Sequence, residues 1–116
     1  MVKLKYFILL IVMIYSGQIH AQDIEKDANA NFKGFNFYLA LEQYLSLLES
    51  DSTNPEYNYR TGVCYLNLNL DKSKALNYIQ FAVNSGYNKP EEIFDLALAY
   101  FFHLDFDIAI NKFKEY

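Results

Sequence analysis

The residues able to carry chemistry are few and scattered. Outside the carboxylates, the 116 residues offer two histidines, His20 and His103, and one cysteine, Cys64. His20 falls in an expected leader, which leaves His103 alone, so neither a multi-histidine metal site nor a Ser-His-Asp arrangement can be assembled around it. Its place before Leu104-Asp105 suits a cation facing the negative end of a helix dipole. Cys64 lies between Val63 and Tyr65 in an apolar helical stretch. There a free cysteine reads as a small buried side chain, the alternatives being an intermolecular bridge or a reactive thiol. The acids cluster as Glu91-Glu92 and Asp105-Phe106-Asp107. Paired carboxylates hydrolyse glycosides when a cleft gives them different environments, but both pairs stand at expected helix starts, where a negative charge meets the positive dipole end. Gly17, Gly34, Gly62 and Gly86 never approach a phosphate-loop spacing. Gly34 and Gly86 read as turn residues and Gly62 as a close-packing site. No catalytic residue, metal ligand or cofactor is assigned, and the chain is expected not to be an enzyme.

Composition bounds the alternatives. The chain carries 14 acidic and 10 basic side chains, and without Lys3 and Lys5 the balance is 14 to 8, a net charge near −6. A nucleic-acid partner is therefore not expected, because phosphate binding requires a concentrated basic face. With 53% hydrophobic and 18% aromatic residues, the chain is far from the composition of disorder. Its length admits one small domain.

The first 21 residues have the layout of an export signal: Lys3 and Lys5, the apolar run from Tyr6 to Tyr15, then Ser16-Gly17-Gln18-Ile19-His20-Ala21. Ile19 and Ala21 occupy the positions a signal peptidase reads, so cleavage is expected after Ala21, leaving residues 22–116 as the domain. An uncleaved anchor is the competing reading, against which stands an apolar run of ten residues where a span needs about 20. The expected location is periplasmic or outer-membrane-associated.

The elements that position the remaining residues follow from an internal period. Ala40, Ala75 and Ala109 are spaced by 35 and 34 residues, each followed by a branched aliphatic (Leu41, Leu76, Ile110) and, four residues on, by a large apolar group (Tyr44, Ile79, Phe113). Gly62 and Ala97, Tyr65 and Tyr100, and Pro55 and Pro90 are each 35 apart. Within each period the apolar spacing is three and four residues, as in Phe94, Ala97, Leu98, Phe101 and Phe102, which predicts helices. Pro55-Glu56 and Pro90-Glu91-Glu92 suit first helical turns. The expected helices are roughly 24–32, 37–49, 55–67, 71–84, 90–103 and 105–116, with turns at Gly34-Phe35-Asn36, Asn67 to Asp71, and His103-Leu104-Asp105. Small residues at Ala40, Gly62, Ala75, Ala82, Ala97 and Ala109 let paired helices approach closely.

This pattern resembles the tetratricopeptide repeat family, whose 34-residue helix-turn-helix carries W-x2-L-G-x2-Y, then A-x3-F, then P. The middle unit matches with Thr61-Gly62 and Tyr65, then Ala75, Ile79 and Ala82; the last matches with Leu96-Ala97 and Tyr100, then Ala109 and Phe113. Asn58 and Ile93 stand in place of tryptophan, and the first unit matches in its opening helix at Ala28 alone. The resemblance implies an all-α fold of about three units, 24–52, 55–87 and 90–116, forming a short right-handed α-solenoid whose last unit is uncapped. The run Asn54 to Asn67, with Asp71 to Leu76, is similar to the N-terminal repeats of exported bacterial proteins that continue into a propeller-like segment and an outer-membrane-protein-A-type peptidoglycan-binding domain. That narrower resemblance implies a cell-envelope scaffold.

Such arrays bind proteins or peptides in a concave groove lined by the first helix of each unit. Carried over by position, Tyr59, Val63, Leu66, Asn67, Phe94, Leu98, Phe101 and Phe102 would line it, and the lysine and asparagine carboxylate clamp of some relatives does not appear. Equally, Phe101 and Phe102 could be covered by a further repeat. The last helix ends at Phe113-Lys114-Glu115-Tyr116 without a capping glycine or polar closing helix. The expectation is that the chain continues in nature or that another molecule, including a second copy, covers this face. Membrane association is expected through partners or further domains rather than through a retained span, and a purely structural spacer is the alternative function.

Overall fold

The computed structural model describes residues 2–116 except 88 and 90, and the side chain of residue 19 lies outside that description. Among the described residues the chain is all-α, without strands. It runs through α1 (Val2–Lys33), α2 (Phe37–Ser50), α3 (Pro55–Asn67), a 3₁₀ turn at Lys72–Lys74, α4 (Ala75–Asn84), α5 (Glu91–Phe102) and α6 (Phe106–Glu115). Helices pair in chain order, α1 with α2, α3 with α4 and α5 with α6, and α3 and α5 each pack on the preceding pair.

The largest departure from expectation is α1, which begins at Val2 instead of near Ile24. No proline interrupts the stretch from Ser16 to Gln22, and one glycine, Gly17, costs a helix only about 1 kcal/mol relative to alanine. The large apolar side chains between Val2 and Tyr15 are exposed all round. Beyond them Ala28 is buried and Ile24 and Phe32 pack against the core. The projecting end gives the molecule its 66 Å long axis against 26 and 22 Å across. The whole of α1 is long and apolar enough to cross a membrane, a property it shares with signal sequences.

Core packing follows the small-residue period. Ala28, Ala40, Ala75, Ala82 and Ala97 are fully buried and Ala109 nearly so. Gly62 on α3 is the tightest crossing: a Cβ there would collide with the Ile79 side chain and lie 3.1 Å from the Ala75 carbonyl oxygen. Central α3 is covered on most of its surface, from Tyr57 to Leu66. It starts where the Asn54 side chain accepts the Tyr57 N–H (3.1 Å) and Pro55 enters the first turn. Buried Asn58 donates to the carbonyls of Ser52 (3.0 Å) and Asn54 (2.8 Å), tying down the loop before the helix. Burial of Cys64 raises its thiol to about 12, so it is a packed apolar group at neutral pH.

Three helices end in the same way. Asn36 N–H reaches the Asn31 carbonyl (2.8 Å), Tyr87 that of Ala82 (3.1 Å) and Asp105 that of Tyr100 (3.0 Å), each beside a shorter-range bond from the preceding residue. This paired closure requires a left-handed residue. The residues are Phe35 (φ 60°), Gly86 (φ 82°) and Leu104 (φ 70°). Gly34 lies in the first of these turns, as expected, one position before the left-handed residue. The segment expected to be helical from Asp71 opens as a 3₁₀ turn, because the Asp71 carboxylate accepts from the Ser73 N–H at 3.1 Å and tightens the entry. At α5 the Glu92 carboxylate accepts the Lys89 N–H (2.8 Å); Pro90, expected in the first turn, lies outside the described residues.

Candidate functional site

The first helices of the three pairs border one cleft of about 520 Å³. From α1 and its turn come Phe32 and Phe35, with Phe37 opening α2. From α3 come Tyr59, Arg60, Val63 and Asn67. The approach to α5 gives Tyr87 and Lys89, and α5 itself gives Glu91, Phe94 and Asp95. The left-handed turn at Phe35 places three phenylalanines side by side, with ring centres 5.7 Å apart for Phe32 and Phe37 and 6.0 Å for Phe35 and Phe37.

Tyr59 and Asp95 join α3 to α5. The Tyr59 hydroxyl donates to the Asp95 carboxylate at 2.5 Å. Burial raises the Tyr59 hydroxyl, and the bond to Asp95 raises it further. Burial also raises the Asp95 carboxyl, the Tyr59 hydrogen bond opposing and the Glu91 charge adding to the effect. The Tyr59 ring packs on Tyr87 at 5.1 Å, and the Lys89 ammonium lies 5.0 Å from the Tyr87 ring centre.

At the α1 side, Arg60 anchors a polar joint. Its guanidinium pairs with Glu56 at 2.5 Å, donates to the Tyr44 hydroxyl at 2.9 Å and to the Asn29 side-chain oxygen, and lies 5.3 Å from the Phe32 ring centre. Tyr44 in turn donates to Asn29 at 2.6 Å. Both terminal nitrogens of Arg60 are thus engaged within the fold, which makes it a wall of the cleft more than a free charge. Lys89 stands exposed at the rim of the cleft.

Of the eight residues read as groove-lining, Tyr59, Val63, Asn67 and Phe94 border this cleft and the other four do not. Tyr59, Val63 and Asn67 are spaced by four residues and form one helical stripe, whereas Leu66, turned from that stripe, is buried in the core. Leu98 is half-buried against the core. Phe101 and Phe102 lie in a separate exposed cluster in which Phe101 meets Phe106 at 5.6 Å and Lys72 lies 4.7 Å from the Phe102 ring centre. Phe32, Phe35, Phe37, Tyr87 and the charged Arg60, Lys89, Glu91 and Asp95 were not identified from sequence. His103 follows the end of α5, its Nδ1 3.0 Å from the Asp105 carboxylate. The described residues contain no group of three or more His, Cys, Asp or Glu arranged for a metal ion.

No protein-family model, curated protein or solved structure matches the chain.

Proposed function

We propose that the chain is a tetratricopeptide-like interaction module of an exported cell-envelope protein, non-enzymatic, holding a peptide or protein segment against the face formed by α1, α3 and α5. The observation that carries this reading is the aromatic cleft at the junction of the three first helices, where Phe35, Phe94 and Tyr87 offer partly exposed rings beside the Lys89 cation. Aromatic side chains supply large contact area with little entropy loss. The three helical pairs, with buried alanines or glycine at a 34–35-residue interval, support the repeat reading and a short solenoid of about three units. The envelope assignment rests on the leader-like Met1 to Ala21 and on the resemblance of the Asn54 to Leu76 region.

Selection of a displayed peptide library against the full chain tests the proposal. Selected peptides should lose binding to Phe35→Ser and Phe94→Ser and keep it with Ile108→Ser, which lies outside the cleft. Equal binding by all three variants would reject the cleft as the binding face. A second reading, a structural spacer, is favoured by the bonds that lock neighbouring pairs together, Tyr59 to Asp95 and Tyr100 to Gln80 at 2.6 Å. It expects no cleft-dependent peptide from the same selection.

A further inference from the structure

The outer face of α6 is apolar along one stripe and charged in a pattern that matches itself when reversed. Phe106 and Ile110, one turn apart, are about half-exposed at 48% and 51%, while Ala109 faces inward and is buried. The stripe continues onto the end of α5 through the ring contacts of Phe106 with Phe101 (5.6 Å) and of Phe101 with Phe102 (5.5 Å). A contiguous aromatic patch of this kind on a soluble domain marks an interaction surface.

What covers it is indicated by the charges beside it. Asp107 and Lys114 lie three residues before and four after Ile110, so both border the apolar stripe on the same side of the helix. Both are exposed. Among the described residues neither takes part in an ion pair, although Lys112 and Glu115 pair on the neighbouring face at 2.8 Å. The two charges are seven positions apart, about 10 Å along the axis. Two such helices laid antiparallel about a two-fold axis beside Ile110 set each Asp107 against the Lys114 of the other copy. The same operation buries Phe106 and Ile110 of both copies against one another. A two-fold interface must be complementary to itself, and this face meets that condition in charge and in hydrophobicity.

We propose that the α6 face is a homodimer surface in which two copies of this chain pair antiparallel, with Asp107 of each copy opposite Lys114 of the other. The residues invoked, Phe106, Asp107, Ile110 and Lys114, are not among those that line the α1-α3-α5 cleft.

Disulfide trapping of the full chain, in detergent or in native membranes, tests the geometry. Ile110→Cys should give a covalent dimer under mild oxidation, and Ile108→Cys, on the other side of α6, should give much less. Native Cys64 does not compete, being fully buried with its thiol raised to about 12. In the Ile110→Cys background, Asp107→Lys and Lys114→Asp should each lower trapping on the order of tenfold, because two attractive pairs become repulsive. An equimolar mixture of the two charge variants should restore it, since the unlike copies again place opposite charges together. Both substitutions are on exposed positions and circular dichroism would show an unchanged fold. Monomeric Ile110→Cys, equal trapping through Ile108→Cys, or failure of the mixture to recover would overturn the proposal.

Discussion

Replacing Gly62 by alanine separates two opposed effects of known size. Helix propensity alone favours alanine by about 1 kcal/mol in a helix interior, and α3 is a regular helix at this point. Against that, the new Cβ would collide with Ile79, which is fully buried, and would stand 3.1 Å from the Ala75 backbone oxygen. Ile79 has no free space to turn into, and the carbonyl can yield only if α4 moves away from α3. Overpacking of this kind costs about 1 to 3 kcal/mol, and since a backbone atom is involved the upper part of that range applies. The net expectation is a loss of about 1–2 kcal/mol, which for a domain of this size lowers the melting midpoint by roughly 5–15 °C. Thermal and urea unfolding followed by circular dichroism measures it. A companion Ile79→Ala variant, costly on its own because it leaves a cavity, should rescue part of the loss, with the double variant about 1 kcal/mol or more better than additive. A midpoint for Gly62→Ala at or above that of the parent chain would refute the close-crossing argument.

Three further outcomes follow from the joints and turns. Arg60→Leu removes the partner of Glu56, Tyr44 and Asn29 together and should cost about 1–3 kcal/mol in urea unfolding. Leu104→Gly relieves a left-handed leucine at an exposed turn (φ 70°) and should raise stability by about 0.5–1 kcal/mol, the relief being partly offset by the greater freedom of glycine when unfolded. Asp95, whose carboxyl is raised mainly by burial, binds its proton more readily folded than unfolded. Its ionisation therefore weakens the fold at neutral pH, and stability should be regained as pH falls through its folded value towards the ordinary carboxylate range. Asp95→Asn, which keeps an acceptor for Tyr59, should flatten that limb of the pH profile; an unchanged profile would assign it to another group.

Much of the helical order was legible because local signals and period agreed. Asn54-Pro55-Glu56 combines a capping side chain, a proline without an N–H to satisfy and an acid at the dipole's positive end, and α3 begins there and ends at Asn67 as its apolar spacing indicated. The alanine register marked buried positions for the same reason: only a small side chain fits where two helices cross. The extent of α1 was less legible, because the export-signal pattern led to an expected boundary at Ala21 that the backbone does not observe. The cleft was half legible. A stripe of residues four apart could be read from α3, but Phe35, Phe37 and Tyr87 reach the cleft through turns, and a left-handed phenylalanine has no reliable signature in composition. The phenylalanines spaced around Gly34 (Phe32, Phe35 and Phe37) and the Tyr87-Lys89 pair were the available clues.

The uninterrupted course of α1 gives scission after Ala21 a specific cost. It would sever a helix and not a linker, leaving the amide N–H groups of Gln22, Asp23, Ile24 and Glu25 without the carbonyl acceptors four residues earlier. The freshly made α-amino group would also sit at the positive end of the shortened helix dipole, with Asp23 and Glu25 in the new first turn to counter it. Loss of the leader would therefore loosen the turn that seats Ile24, about one turn from Ala28 and two from Phe32. On the proposed function, processing at Ala21 would reach the cleft mechanically: Phe32, which walls it, is held by a helix whose beginning the peptidase would define.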